Sequence, residues 1–128
     1  MNTHESAEDY LETILILGNS GKRVRSIDIV NELDYTKPSV SVAMKKLRES
    51  GCIVMDGDGY ITLTESGRKI AESIYERHTL LFDWLTSLGV DKETALKDAC
   101  RMEHCVSEKS FTAIKKHIYL LKNLYLGE

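Results

Sequence analysis

The segment from Asp98 to Cys105 reads D-A-C-R-M-E-H-C and brings a thiol, a carboxylate and an imidazole close together in the sequence. If this segment is helical, Cys100, Glu103 and His104 stand at positions i, i+3 and i+4 and share one face. Thiolate, carboxylate and imidazole groups are all ligands of divalent transition metals. The spacing therefore predicts a metal-binding face on this helix.

Three further candidate ligands lie upstream of that segment. Asp9 and Glu12 are one helical turn apart near the start of the chain, and His78 lies among apolar residues in a long helical pattern. Each has another interpretation, because Asp9 could be only a helix-capping acid, Glu12 a surface charge and His78 a hydrogen-bonded core histidine. The residues alone leave these alternatives open.

A cationic stretch stands out in a chain whose formal net charge is -3, since four basic and no acidic residues lie between positions 36 and 48. A DNA-reading helix needs short polar side chains at its N-terminal end to approach base edges, and Lys or Arg nearby to hold phosphates. The alternative is a solvated cationic face. The candidate DNA contacts are Arg25, Thr36, Lys37, Pro38, Ser39, Ser41, Lys45 and Lys46.

The periodicity of the first half positions these residues. A helix is predicted from Ser6 to about Gly18, a short one over 27–33, and a third that Thr36 caps and that stops at Ser50-Gly51. Two strand-like runs follow, Cys52–Met55 and Tyr60–Leu63, separated by D-G-D-G, which is a strong hairpin signal. This order is typical of a winged helix-turn-helix.

The second half is helical throughout. Thr64 can cap a helix that runs to Leu88, and further helices are predicted from Asp91 to about Cys105 and from Ser107 to Gly127. We therefore predict a mainly α fold: an N-terminal winged helix-turn-helix over residues 1–70 with a small β-hairpin wing, followed by an all-helical dimerisation domain over 71–128. The helix over about 64–88 links them.

An apolar stripe in this half predicts a dimer surface, although the same stripe could simply be monomer core. Its members recur at helical spacing in the last helix and in the far half of the long one. They are Trp84, Leu88, Phe111, Ile114, Ile118, Leu121 and Tyr125.

Composition restricts the class of protein. The chain has 128 residues, of which 42% are hydrophobic and 29% charged, which is typical of a globular protein. No secretory signal pattern and no apolar run long enough to span a membrane is present, so we expect a cytoplasmic protein. Three cysteines without C-x-x-C spacing disfavour a disulfide framework. Cys52 is expected in the core, and Cys105 is given no metal role.

Several motifs together resemble the diphtheria toxin repressor and manganese transport regulator family. They are D-Y-L-E-T-I at 9–14, D-I-V-N-E-L and P-S-V-S at 28–41, T-E-S-G-R-K at 64–69, E-R-H-T-L-L at 76–81 and D-A-C-R-M-E-H at 98–104. The resemblance covers nearly the whole chain, with the motifs in the same order and spacing.

The resemblance implies a repressor that binds a palindromic operator as a homodimer, joined through its C-terminal helices, when metal is bound. The implied ligands are Asp9, Glu12, His78, Cys100, Glu103 and His104. Asp9 matches the manganese-type members and Cys100 the iron-type members. Phe82 and Leu96 stand where the iron-type ancillary site has a Glu and a His, and the end at Glu128 leaves no room for the larger members' extra domain. One mixed site or a two-ion cluster is expected.

The donor set suits Fe(II) or Mn(II) first, with Zn(II), Co(II) or Ni(II) as further possibilities because of the thiolate. The expected mechanism is a metal that joins the first helix to the dimer lobe and sets the spacing of the two recognition helices. Regulation by a non-metal ligand is one alternative. A metallohydrolase with Glu103 or Glu12 as general base is a weaker one, because ligands from three helices can saturate the ion. We expect no enzyme.

Overall fold

The computed structural model describes residues 3–126, and the side chains of residues 6–124. Over that range the chain forms six helices and two strands in the predicted order. They are α1 Thr3–Asn19, α2 Ser26–Leu33, α3 Lys37–Glu49, β1 Ile53–Met55, β2 Ile61–Leu63, α4 Glu65–Ser87, α5 Lys92–Cys105 and α6 Glu108–Leu126. The predicted mainly α architecture is confirmed.

Helix starts follow local capping, with one exception. Thr36, Thr64 and Asp91 accept hydrogen bonds from the backbone N–H groups of Ser39, Gly67 and Thr94, respectively, at 3.2, 3.1 and 3.0 Å. Ser6 was expected to begin the first helix, but α1 already starts at Thr3. The preceding residues contain no helix breaker, so Ser6 lies inside the helix and the predicted boundary was wrong.

The first compact unit comprises residues up to Ile74 and contains α1 to α3, the hairpin and the start of α4. Its core is a continuous cluster that includes Leu11, Ile29, Val40 and Met44, all 1% exposed or less. The buried side chains of α3, Val40, Met44 and Leu47, recur at helical spacing, so this helix turns one apolar face inward, whereas every residue of α1 from Tyr10 to Leu15 is buried.

The hairpin pairs β1 with β2 in antiparallel register, Ile53 opposite Leu63. Val24, just before α2, adds an isolated bridge to Ile61, so the wing is tied to the helical part of the unit. In the hairpin turn, the Asp56 carboxylate accepts hydrogen bonds from the backbone N–H groups of Asp58 and Tyr60, both at 2.9 Å. The Asp56 side chain therefore shapes the tip of the wing.

The second unit begins at Tyr75 and comprises the rest of α4 with α5 and α6. Its small core joins Leu80 of α4 to Phe111 and Ile118 of α6, with Trp84, Val106 and Ile114 packed against it. α5 contributes buried Ala95 and Ala99, whose small side chains allow close helix packing. The contact of His78 on α4 with Glu103 on α5 holds the metal-ligand face of α5 against α4.

Candidate metal centre and nucleic-acid interface

Four of the six predicted ligands meet inside the second unit. The Nδ1 atom of His78 on α4 lies 2.9 Å from Oε2 of Glu103 and 3.8 Å from the Cys100 sulfur on α5. The His104 Nε2 atom is 3.4 Å from the other carboxylate oxygen of Glu103. Because α5 is helical over the whole segment, the i, i+3, i+4 spacing places these groups on the side that meets α4.

Glu103 is the centre of this cluster and is almost wholly buried, with 1% of its side chain exposed. An ionised carboxylate is costly to bury unless it is paired and hydrogen-bonded. The side chains of His78 and His104, 20% and 6% exposed, supply those partners. Cys100 is at the exposed edge of the cluster. His78 is therefore paired with a buried carboxylate, which distinguishes it from a histidine that is only hydrogen-bonded within an apolar core.

The electrostatics of His78 follow from these contacts. Hydrogen bonding to Cys100, and then to Glu103, raises the pKa of His78 to about 10, against the lowering effect of partial burial. The ring is therefore protonated near neutral pH in the metal-free protein and balances the buried carboxylate. A metal ion needs the unprotonated lone pair, so ion and proton compete for this site.

Phe82 packs face to face with His78, its ring centroid 6.4 Å away and its plane only 8° off parallel. A phenylalanine side chain offers no ligand atom. Leu96, the other departure from the iron-type pattern, is about half exposed on α5. The donor set that remains, a thiol, a carboxylate and two imidazoles, fits a divalent transition metal.

The other two predicted ligands belong to the first unit. Asp9 and Glu12 lie one turn apart on α1. Glu12 is only 9% exposed, although it carries a carboxylate, and it lies among the core residues Leu11 and Ile14. A carboxylate so buried is not an ordinary surface charge, which removes one of the alternatives for Glu12. Asp9 and Glu12 therefore stay predicted ligands of the metal.

The polar face of α3 is presented as predicted. Val40, Met44 and Leu47 are buried, while the seven predicted contacts on or next to this helix are exposed. The Thr36 hydroxyl accepts from the Ser39 backbone and donates to its Oγ at 2.8 Å, which fixes the N-terminal turn. The exposed set is Thr36, Lys37, Pro38, Ser39, Ser41, Lys45 and Lys46.

Arg25, predicted as a phosphate contact, has a structural task. Its guanidinium donates to the Asp58 carbonyl at the wing tip and lies 4.8 Å from the Tyr60 ring centroid. Arg23 lies over the same ring at 3.8 Å. The two arginines support the wing through Tyr60, which sequence reasoning missed. The available signals were the alternation of Arg23 and Arg25 in the sequence and the aromatic Tyr60 directly before β2.

The predicted dimer stripe divides into two parts. Phe111 and Ile118, 3% and 5% exposed, are monomer core, so assigning them to a dimer surface was wrong. Ile114 and Trp84 are partly buried against that core. Leu88 and Leu121 are exposed and border a groove of about 560 Å³ with Trp84. The Tyr125 side chain lies outside the described residues.

Cys52 is buried in the core of the first unit, as expected, and Cys105 is exposed. Arg77, next to His78, is a buried charged residue that the sequence analysis did not single out. The sequence gives one indication of its importance, which is a positive charge directly before the candidate ligand His78. Within the described part of the chain, no helix combines the length and apolar character needed to cross a bilayer.

Two sequence models of one family match the chain. Residues 2–61 match the iron dependent repressor N-terminal DNA binding domain. Residues 64–122 match the iron dependent repressor metal binding and dimerisation domain. The first match contains the exposed face of α3, and the second contains the His78 and Glu103 cluster.

Individual relatives agree with these matches. The transcriptional regulator MntR of Escherichia coli O157:H7 is 35% identical over 111 residues, covering 87% of this chain and 72% of the relative. The iron-dependent repressor IdeR of Mycobacterium tuberculosis is 32% identical over 105 residues, covering 81% and 46%.

A solved manganese-dependent transcriptional repressor in complex with manganese is similar at 29% identity with a TM-score of 0.79, covering 87% of this chain and 51% of that one. The chain thus spans about half the length of this repressor and of the mycobacterial relative.

Proposed function

The chain belongs to the iron-dependent repressor family of metal-responsive transcriptional regulators, and from this premise we propose that it represses transcription by binding palindromic operator DNA as a homodimer when a divalent metal is bound. Membership confirms the resemblance found in the sequence and the expectation of a regulator and not a hydrolase. The carrying observation is the buried Glu103 carboxylate with His78 at 2.9 Å and His104 at 3.4 Å.

We assign the metal to His78, Cys100, Glu103 and His104 of the second unit, with Asp9 and Glu12 of α1 completing the set. A bound divalent ion supplies the positive charge that allows several carboxylates to lie together. Imidazole and carboxylate donors favour Mn(II) or Fe(II), which are the metals named for the relatives. The Cys100 thiolate adds affinity for Zn(II), Co(II) and Ni(II).

We assign operator recognition to α3. The exposed hydroxyls of Thr36, Ser39 and Ser41 are short enough to approach base edges, and Lys45 and Lys46 can contact phosphates. Because the whole chain is net negative, this local cationic face must supply the phosphate attraction. Arg25, which is exposed and also supports the wing, stays a proposed phosphate contact.

We assign the homodimer contact to the groove bordered by Trp84, Leu88 and Leu121. The exposed fractions of Leu88 and Leu121, 63% and 36%, leave apolar surface that a second copy would cover. A two-fold dimer pairs with a palindromic operator, whose half-sites lie about 34 Å apart. We expect the protein to work in the cytoplasm and to control genes of metal uptake.

The test is fluorescence anisotropy with DNA from the region upstream of the protein's own gene. We expect tight binding with Mn(II) or Fe(II) and release on chelation. Affinity that is unchanged by a chelator would contradict the proposal and point to a non-metal signal. Typical coupling between sites, about 1–3 kcal/mol, predicts a change of roughly 5- to 150-fold in operator affinity.

Variants identify the ligands. Glu12→Gln and His104→Ala should abolish the metal response, and Cys100→Ser should weaken it most for Zn(II). Cys105→Ser is the matched control, because Cys105 is an exposed thiol on the same helix and is not assigned to the site. Retained metal-dependent binding in the Glu12 and His104 variants would refute the ligand assignment.

A further inference from the structure

Building on the proposed function, we propose that Arg77 is a positioning residue that holds the C-terminal turn of α5, so that Glu103 and His104 present their side chains to the metal. Arg77 lies on α4 directly before His78 and is 8% exposed. Its guanidinium donates to main-chain carbonyl oxygens at the end of α5, so it acts through the α5 backbone.

The guanidinium of Arg77 is used on several sides. Nη1 donates to the Glu103 carbonyl oxygen at 3.1 Å and also to the carbonyl of Val106. Nη2 donates to Oε2 of Glu108, at the start of α6, at 3.1 Å. The same group lies 5.0 Å from the centroid of the Phe111 ring. One side chain on α4 therefore ties together the end of α5 and the start of α6.

The contacts fall where a helix most needs them. The last carbonyl groups of an α-helix have no intrahelical partner, and the end carries partial negative charge. α5 ends at Cys105, and its C-cap residue Val106 is extended. Arg77 thus provides, from another helix, the donors and positive charge that a C-terminal cap would provide locally.

This cap is coupled to the metal centre through a single residue. Arg77 donates a hydrogen bond to the main-chain oxygen of Glu103 at 3.1 Å, and His78 contacts the carboxylate of the same residue at 2.9 Å. Two consecutive residues of α4 therefore fix both the backbone and the side chain of the central ligand. If the backbone hold is lost, the last turn of α5 can shift, and with it both Glu103 and His104.

Lysine cannot replace this arrangement. It keeps the charge, but its ammonium is a compact group without the planar fork that reaches separate acceptors in fixed directions. Arg77→Lys therefore retains the cation while disturbing the geometry. Lys115→Met is the matched control, because the Lys115 and Glu76 pair, 2.8 Å apart, joins α4 to α6.

The experiment titrates the full chain with Co(II) and with Mn(II), following the visible absorption of Co(II) as a report of ligand geometry. Altered outer-shell contacts typically cost about 10- to 100-fold in metal affinity, which we expect for Arg77→Lys together with a changed Co(II) spectrum. Lys115→Met should match the wild type in both. Titrations are run well below the melting temperature of each metal-free variant.

An Arg77→Lys variant with wild-type affinity and spectrum would overturn the inference, even if its melting temperature fell, because the role would then be structural only. If that variant does not fold, Glu108→Gln is titrated instead. It replaces the carboxylate that pairs with Nη2 by a neutral amide and should weaken Co(II) binding relative to Lys115→Met, and equal binding would overturn the inference. A wild-type chain that binds neither ion would refute the proposed function itself, independently of any variant.

Discussion

The protonation of His78 predicts how metal affinity depends on pH. With a pKa of about 10, the ring of the metal-free protein carries its proton throughout the neutral range. Metal binding must release that proton, since an imidazolium has no free lone pair. Affinity for Mn(II) should therefore rise with pH, and should still be rising above pH 7.

The magnitude follows from the distance between the pH and the pKa. pH 7 lies about three units below the His78 pKa of about 10. Removing the proton from the ring at this pH costs about 4 kcal/mol, at roughly 1.4 kcal/mol per pH unit. Release of this one proton makes affinity rise about tenfold for each pH unit. In a Cys100→Ser variant, which has no thiol proton to release, a histidine with the ordinary value of 6.5 would give little further rise above pH 7.

The same shift has a consequence for the metal-free protein. Because the folded-state pKa of His78 is raised, the imidazolium stabilises the fold fully below its unfolded-state pKa of 6.5, and this contribution is lost as the pH rises through about 10. Metal-free protein should therefore melt at a lower temperature at pH 9 than at pH 6.5. Glu103→Gln, which removes the paired carboxylate, should reduce this pH dependence.

Two assays check this prediction. Mn(II) affinity is measured by electron paramagnetic resonance at pH 6.5, 7.5 and 8.5, and the His78 ring is titrated by NMR in the metal-free protein. A His78 ring that titrates near 6.5, or an Mn(II) affinity that is level between pH 7.5 and 8.5, would refute the reasoning.

Three further predictions concern the fold, the DNA face and the dimer. A Cβ on Gly67 would lie 2.0 Å from the Cys52 carbonyl oxygen, so Gly67→Ala should lower the free energy of unfolding by about 1–3 kcal/mol in thermal melts. Lys45→Ala with Lys46→Ala should weaken binding to every DNA sequence and reduce the salt slope by about 2. Leu88→Asp should shift sedimentation towards the monomer.

Each of these changes has a matched control. Gly18→Ala places its methyl group in open space on α1 and should stabilise the helix by about 1 kcal/mol. Lys116→Ala removes an exposed cation from α6 and should leave the salt slope unchanged. Leu120→Asp alters a leucine 65% exposed, beside 63% for Leu88, and should leave the dimer intact. Equal behaviour of variant and control would contradict the corresponding prediction.

The order of the elements was predictable because its signals are local. The side chains of Thr36, Thr64 and Asp91 cap helices within three residues of themselves, and the D-G-D-G run turns the chain on itself within the hairpin. Such contacts depend on neighbours in sequence. The helix face that carries Cys100, Glu103 and His104 follows from the same local periodicity.

Long-range packing decided the rest. An apolar stripe on a helix shows which side is buried but not what buries it, so Phe111 and Ile118 were indistinguishable in sequence from the exposed Leu121. From the sequence, Arg25 was interpreted as a free cation, and only the structure shows its hydrogen bond to the Asp58 carbonyl of the wing. In both cases the partner is distant in sequence.

The sequence by itself determined the helices, the hairpin, the ligand types and the family motifs, because periodicity, capping and chemical identity belong to single segments. Only the tertiary structure decided that His78 faces Glu103 and that Arg77 closes the end of α5, 25 and 26 residues away in sequence. The physical reason is that these contacts exist only after separate helices have packed. A charged group that becomes buried in this packing is costly unless it is paired, so each buried charge requires a partner from a neighbouring helix.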